Sequence, residues 1–137
     1  MGEPIRDFKQ LRVYGKAFDL GMEIFQISSD WPKPERYALT DQIRRSSRAV
    51  CSNIAEAWFK RRYPKHFVSK LSDSSAEAAE TLVWLDFARA SGYLHEDQQQ
   101  GLERGYRKVI AGLVRMMDQP NKWSIPVVNE EIISYDT

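Results

Sequence analysis

Residues 40–57 read TDQIRRSSRAVCSNIAEA and contain neither proline nor glycine. Nothing in the stretch breaks an i to i−4 hydrogen-bond ladder, so it reads as helix. At about 100° per residue, Leu39, Ile43, Val50, Ile54 and Ala57 share one face, flanked by Ser46 and Ser47. That face belongs in a helical core. Arg44, Arg45 and Arg48 then point away from it, with little acid nearby to balance them.

Outward from this stretch, Pro32 and Pro34, then Tyr63 and Pro64, then Gly92, and finally Pro120 and Pro126 divide the chain. The four segments between them, 7–29, 39–61, 64–91 and 96–117, all read as helices. At about 1.5 Å per residue each spans roughly 30 to 40 Å. Four helices of similar length with short connections predict an all-α fold, an up-down-up-down antiparallel four-helix bundle over residues 1–119. Residues 120–137, which hold two prolines and no long apolar stripe, are expected to be an extended or disordered C-terminal tail, or an arm on a neighbour. No strand alternation, internal repeat or low-complexity tract competes.

The third segment buries Phe67, Leu71, Ser74, Ala78, Leu82 and Leu85, whose small members let two helices approach closely. Its other side carries Val83, Trp84 and Phe87 beside Asp73, Glu77 and Glu80. Large aromatics on the outside of a bundle suggest a partner surface. The first segment has two apolar stripes, Leu11, Tyr14, Phe18, Met22 and Phe25 on one side and Val13, Ala17, Leu20 and Ile24 on another. One bundle does not easily bury both, whereas a homo-oligomer does.

Net charge is only +1, but the 36–70 stretch carries nine Lys/Arg against Asp41 and Glu56, and the 71–103 stretch one Arg against seven acids. If the second and third helices form a hairpin turning near Arg62, Arg48 lies level with Glu77 and Arg44 with Glu80. Pairing within a bundle and pairing between copies both satisfy that register. A basic face meeting an acidic face of the next copy is a heterologous contact, which closes into a ring. Salt bridges of an oligomer and a nucleic-acid role are two open readings of these arginines.

A second basic cluster lies at the connection after residue 59, where Lys60, Arg61, Arg62 and Lys65, with His66, interleave with Phe59 and Tyr63. Cations at the end of a helix complement its dipole. The next helix starts beside them, and a helix N-terminus with basic and aromatic neighbours also holds phosphate. If nucleic acid binds, these four cations are the expected site.

FKQLRVYGKA (8–17), RYALTDQIRRSSRAVCSNIAEA (36–57) and ASGYL (90–94) resemble the four-helix-bundle family of 23S rRNA-intervening-sequence proteins, to which the accessory proteins of diversity-generating retroelements are related. The resemblance implies a four-helix subunit, a pentameric ring and no known catalytic activity. Among the retroelement relatives it implies basic surfaces for nucleic acid and a reverse transcriptase partner. This chain departs from the family pattern at Ala57, where glycine is usual, at Cys51, where proline is frequent, and at Lys70, Asp73, Ala76 and Glu77, which add charge to the third helix.

Chemistry-bearing residues are sparse. His66 and His95 lie on different segments, and no HExxH, CxxC, P-loop or GxSxG arrangement occurs. The single cysteine, Cys51, excludes an internal disulfide framework and reads as a small residue at a helix seam. Asn53 and Glu56 read as a polar network fixing register. No stretch reaches the roughly 20 apolar residues of a membrane span and no signal peptide is apparent, so a cytoplasmic location is expected. The expectation is a non-enzymatic, cofactor-free and metal-free homo-oligomer that partners itself and RNA or a nucleoprotein. The alternatives are a purely structural scaffold and an uncharacterised enzyme.

Overall fold

The computed structural model describes residues 4–124, which are all-α apart from turns and connections. Four long helices, α1 (Arg12–Ser28), α2 (Leu39–Phe59), α3 (Pro64–Ala90) and α4 (Glu96–Asp118), are followed by one helical turn, α5 (Pro120–Trp123). Each long helix packs on its sequence neighbours, and α4 returns to α1, closing a helical bundle.

The helix ends follow from local chemistry. Pro64 opens α3, where its fixed φ suits the first turn and its missing N–H costs nothing. Gly92, with φ of 81°, ends it: the Gly92 N–H bonds the Arg89 carbonyl and the Tyr93 N–H reaches back to Ala88, a Schellman closure that requires the left-handed region. Gln98 accepts the His95 N–H at 2.9 Å at the start of α4. The first helix starts later than periodicity predicts. Gln10 Oε1 accepts the Arg6 and Asp7 N–H groups, Phe8–Gln10 closes a separate 3-10 turn, and Leu11 is extended before α1 begins. At the start of the stretch predicted to be an extended tail, residues 120–123 instead form α5, and Trp123 packs partly against the core; residues 125–137 lie outside the described residues.

Every residue of the predicted inward stripes on α2 and α3 is buried, as are Ala17, Leu20 and Ile24 of α1. The α2–α3 seam is tight because its residues are small. Ser46 and Thr81 share a 2.8 Å hydrogen bond in the core, and Ser74 Oγ donates to the Val50 carbonyl at 2.8 Å, so the hydroxyls that permit close approach are also satisfied. At the α1–α4 seam a Cβ on Gly105 would sit 2.5 Å from Leu20 Cδ2.

Far from that seam, Tyr93 ties the two connections of one end together. Its hydroxyl donates to Glu35 at 2.9 Å, which raises the Tyr93 pKa, and its ring lies 5.8 Å from that of Trp31.

Gly105→Val is expected to destabilise the protein by about 1–3 kcal/mol, since overpacking displaces Leu20. Combining it with Leu20→Ala should cost less than the sum of the two single changes. Urea unfolding of the four chains measures this, and strict additivity would count against the close approach.

Candidate functional site

The three arginines of α2 divide between two neighbours. Arg45 reaches across to α3, with Nη2 at 2.6 Å from Glu80 and Nη1 at 3.5 Å from Glu77. The Glu80 hydrogen bond raises the Arg45 pKa, while burial pushes Glu77 up against the opposing pull of Arg45. Arg44 turns the other way, onto the end of α1. Its Nε donates to Ser28 Oγ at 2.9 Å, its Nη2 to the Phe25 carbonyl at 3.1 Å, and its guanidinium lies 4.7 Å from the Phe25 ring centre. Arg48 lies 5.9 Å from the same ring and has no carboxylate within 4 Å among the described residues. The predicted levels across the hairpin are therefore occupied within one subunit by Arg45, not by Arg44 or Arg48. Asp73 pairs with Lys70, which also contacts Glu56 at 3.2 Å and Asn53 Oδ1 at 3.4 Å.

On the outer side of α3, Phe87 is 57% exposed and Val83 is exposed, while Trp84 is half-buried and donates its indole N–H to Glu80. On the outer side of α1, Phe18, Met22 and Phe25 are exposed beside half-buried Tyr14 and Cys51. The Phe18, Met22 and Phe25 part of the first-named stripe of α1 is thus left uncovered by the subunit's own helices, on the opposite flank of α2 from the acids of α3.

The α2–α3 corner brings Lys60, Arg61, Arg62 and Lys65 together. Arg61 is spent locally: its guanidinium stacks 3.4 Å from the Trp58 ring centre, its Nε donates to the Trp58 carbonyl, and burial lowers its pKa. Lys60, Arg62 and Lys65 are exposed, with no carboxylate within 4 Å among the described residues. Between them Phe59 is 74% and Tyr63 55% exposed, the latter 5.4 Å from the His66 ring.

A larger feature escapes the helix-by-helix reading. Where α1 ends and α2 begins, a cleft of about 1000 Å³ opens between the connection and the flank of α2. Lys33 and Arg36 of the connection and Arg44, Arg45 and Arg48 of α2 line it, with Asp30 and Asp41 as the acids. The signal was present in WPKPERY, residues 31–37, which interleaves cations with Trp31 and Tyr37 as the corner cluster does. Proline punctuation makes this segment read as a mere connection.

With this geometry in place, the chain can be set beside known proteins. The family model described as 23S rRNA-intervening sequence protein matches residues 9–115. The chain belongs to that family. A solved structure from Bacteroides thetaiotaomicron VPI-5482, described as a protein with unknown function from the S23 ribosomal protein family, superposes with a TM-score of 0.70. At 21% identity it covers 77% of this chain and 95% of its own, and it shares the fold. A comparison with curated proteins finds no match.

Burial pushes the Cys51 thiol up to about 11, so it is protonated at neutral pH. His66 and His95 flank opposite ends of α3. No group of three potential metal ligands occurs among the described residues, and no described helix is long and apolar enough to cross a membrane.

The division of the arginines is testable by double-mutant cycles. Arg45→Gln with Glu80→Gln should show a coupling of about 0.2–1 kcal/mol, the range of solvent-exposed pairs. Arg44→Gln with Glu80→Gln should show none. Equal coupling in both cycles would contradict the assignment.

Proposed function

We propose that the protein is a non-enzymatic, cytoplasmic, homo-oligomeric nucleic-acid accessory factor whose α2–α3 corner binds single-stranded RNA without sequence preference. The observation that carries this reading is the combination of three cations without a carboxylate partner among the described residues, Lys60, Arg62 and Lys65, with two exposed aromatic rings, Phe59 and Tyr63. Cations neutralise phosphates and exposed rings stack bases, the two ingredients of sequence-tolerant single-strand binding. The family's printed description, which refers to an rRNA intervening sequence, accords with such a partner.

Self-assembly is supported by two surfaces on either side of α2. One presents Trp84 and Phe87 beside Asp73, Glu77 and Glu80; the other presents Phe18, Met22 and Phe25 rimmed by Arg44 and Arg48. They complement each other in charge and in apolar character. Different patches of successive copies would meet, a heterologous contact that closes into a ring, with five members in keeping with the family resemblance. A ring would repeat the corner and bind polyanions by avidity. A pure scaffold is the second reading, favoured by the uncovered stripe of α1.

Single-stranded RNA should bind with log affinity falling by about 0.7 per neutralised phosphate for each log unit of salt. Changing Lys60, Arg62 and Lys65 to Ala, with Arg61 kept for its stacking on Trp58, should flatten that slope and leave the oligomer intact. Fluorescence anisotropy and light scattering measure the two outcomes. An unchanged slope, or no RNA binding at low salt, leaves the scaffold reading; a monomer at micromolar concentration removes the ring.

A further inference from the structure

The cleft between the α1–α2 connection and α2 is rich in hydrogen-bond donors and poor in acceptors. The Leu39, Thr40 and Asp41 N–H groups at the start of α2 have no backbone acceptor, and the capping position is Ala38, which offers no side-chain acceptor. This 21-residue helix therefore presents its positive end uncapped, with Thr40 and Asp41 on the cleft wall.

Trp31, which also lines the cleft, is only 8% exposed, and its indole Nε1 is buried with no acceptor. The indole N–H is closed to solvent, so Trp31 forms part of the cleft wall and reports on its occupancy by proximity. Lys33, Arg36 and Arg48 make no ion pair among the described residues, and Arg44 is held in place by Ser28 and the Phe25 carbonyl. Arg45 is balanced by Glu77 and Glu80, which leaves four cations against Asp30 and Asp41. Tyr37, 86% exposed, stands at the rim as an aromatic surface.

We infer that this cleft is a binding site for a phosphate monoester, carried by a nucleoside 5′-monophosphate or by the 5′-phosphorylated end of an RNA strand. A dianion with three peripheral oxygens supplies the acceptors that the Thr40 and Asp41 N–H groups and the Arg36 and Arg48 guanidiniums lack among the described residues. The volume accommodates a nucleotide, and Tyr37 offers a stacking surface for its base. The site is separate from the α2–α3 corner and stands or falls independently of RNA binding there.

The full-length protein is titrated by NMR at low salt with adenosine 5′-monophosphate, with a 5′-phosphorylated RNA oligonucleotide, and with the same oligonucleotide bearing a 5′-hydroxyl. The Trp31 indole resonance, assigned by its loss in Trp31→Phe, should move together with the Thr40 and Asp41 amides. Arg36→Gln and Arg48→Gln, both at exposed positions, should each weaken binding by about tenfold, the scale of one charge-assisted hydrogen bond. Binding of the monophosphate identifies a small-ligand site, and binding of only the 5′-phosphorylated strand identifies a strand end; both support the inference. Lys60→Ala/Arg62→Ala/Lys65→Ala should leave the monophosphate titration unchanged. The inference is overturned by equal affinity for the 5′-hydroxyl strand, by a silent Trp31 resonance at millimolar ligand, or by indifference to both arginine changes.

Discussion

The close approach of α2 and α3 is the constraint on which the other features depend. Ser46 meets Thr81, Ser74 meets the Val50 carbonyl, and Ala78 completes a seam in which no side chain is large enough to hold the helices apart. Small residues are necessary for that distance, and the cross-helix hydroxyl bonds make it specific, because a slip of one turn would part Ser46 from Thr81 and Ser74 from the Val50 carbonyl. Once the register is set, the placement of charge follows. Arg45, next to Ser46, must face α3 and finds Glu77 and Glu80; Arg44, about 100° away around the helix, must face α1.

This geometry also accounts for the uneven charge of the chain. The basic and acidic stretches of sequence partly cancel through Arg45 with Glu77 and Glu80 and through Lys70 with Asp73, Lys70 also meeting Glu56 of its own stretch. Cancellation is confined to the seam. Cations off the seam, Arg36 and Arg48 on the side of α1 and Lys60, Arg62 and Lys65 at the α2–α3 corner, keep their charge uncompensated among the described residues. A nearly neutral protein thus carries two localised positive regions, so net charge alone is a poor guide to what it binds.

Much of the fold is legible in the sequence because core burial is a one-dimensional signal. The inward stripes of α2 and α3, the turn near Arg62 and the stop at Gly92 each depend on a few neighbouring residues. The hairpin register was also readable, but the occupant of that register was not. A helical projection separates inside from outside, whereas Arg44 and Arg45 differ in which of two neighbours they face, and that depends on where α1 lies. Trp84 illustrates the same limit: it projects outward on α3, yet its bond to Glu80 and its packing leave it half-buried. The cleft was the least legible feature, since it joins Trp31, Lys33 and Arg36 of an irregular connection to Arg48 on a helix.

The arginines of α2 therefore have more than one role. Arg45 fastens α3. Arg44 serves α1, where it donates to the Phe25 carbonyl and to Ser28 in the last turn and so neutralises the negative end of that helix. The consequence falls on the neighbouring end of α2. The negative end of α1 would otherwise offset the positive start of α2 beside it; with Arg44 in place, the uncapped N–H groups of Leu39, Thr40 and Asp41 keep their pull on an anion. At the opposite corner the end of α2 adjoins the start of α3 and Arg61 closes onto Trp58, so what remains there is a set of flexible charges rather than fixed donors. Fixed donors select an anion by shape, whereas flexible charges respond mainly to how many phosphates are near. The two binding proposals therefore assign different tasks to the two ends of one helix, recognition of a single phosphate group at its start and sequence-independent retention of a strand at its end.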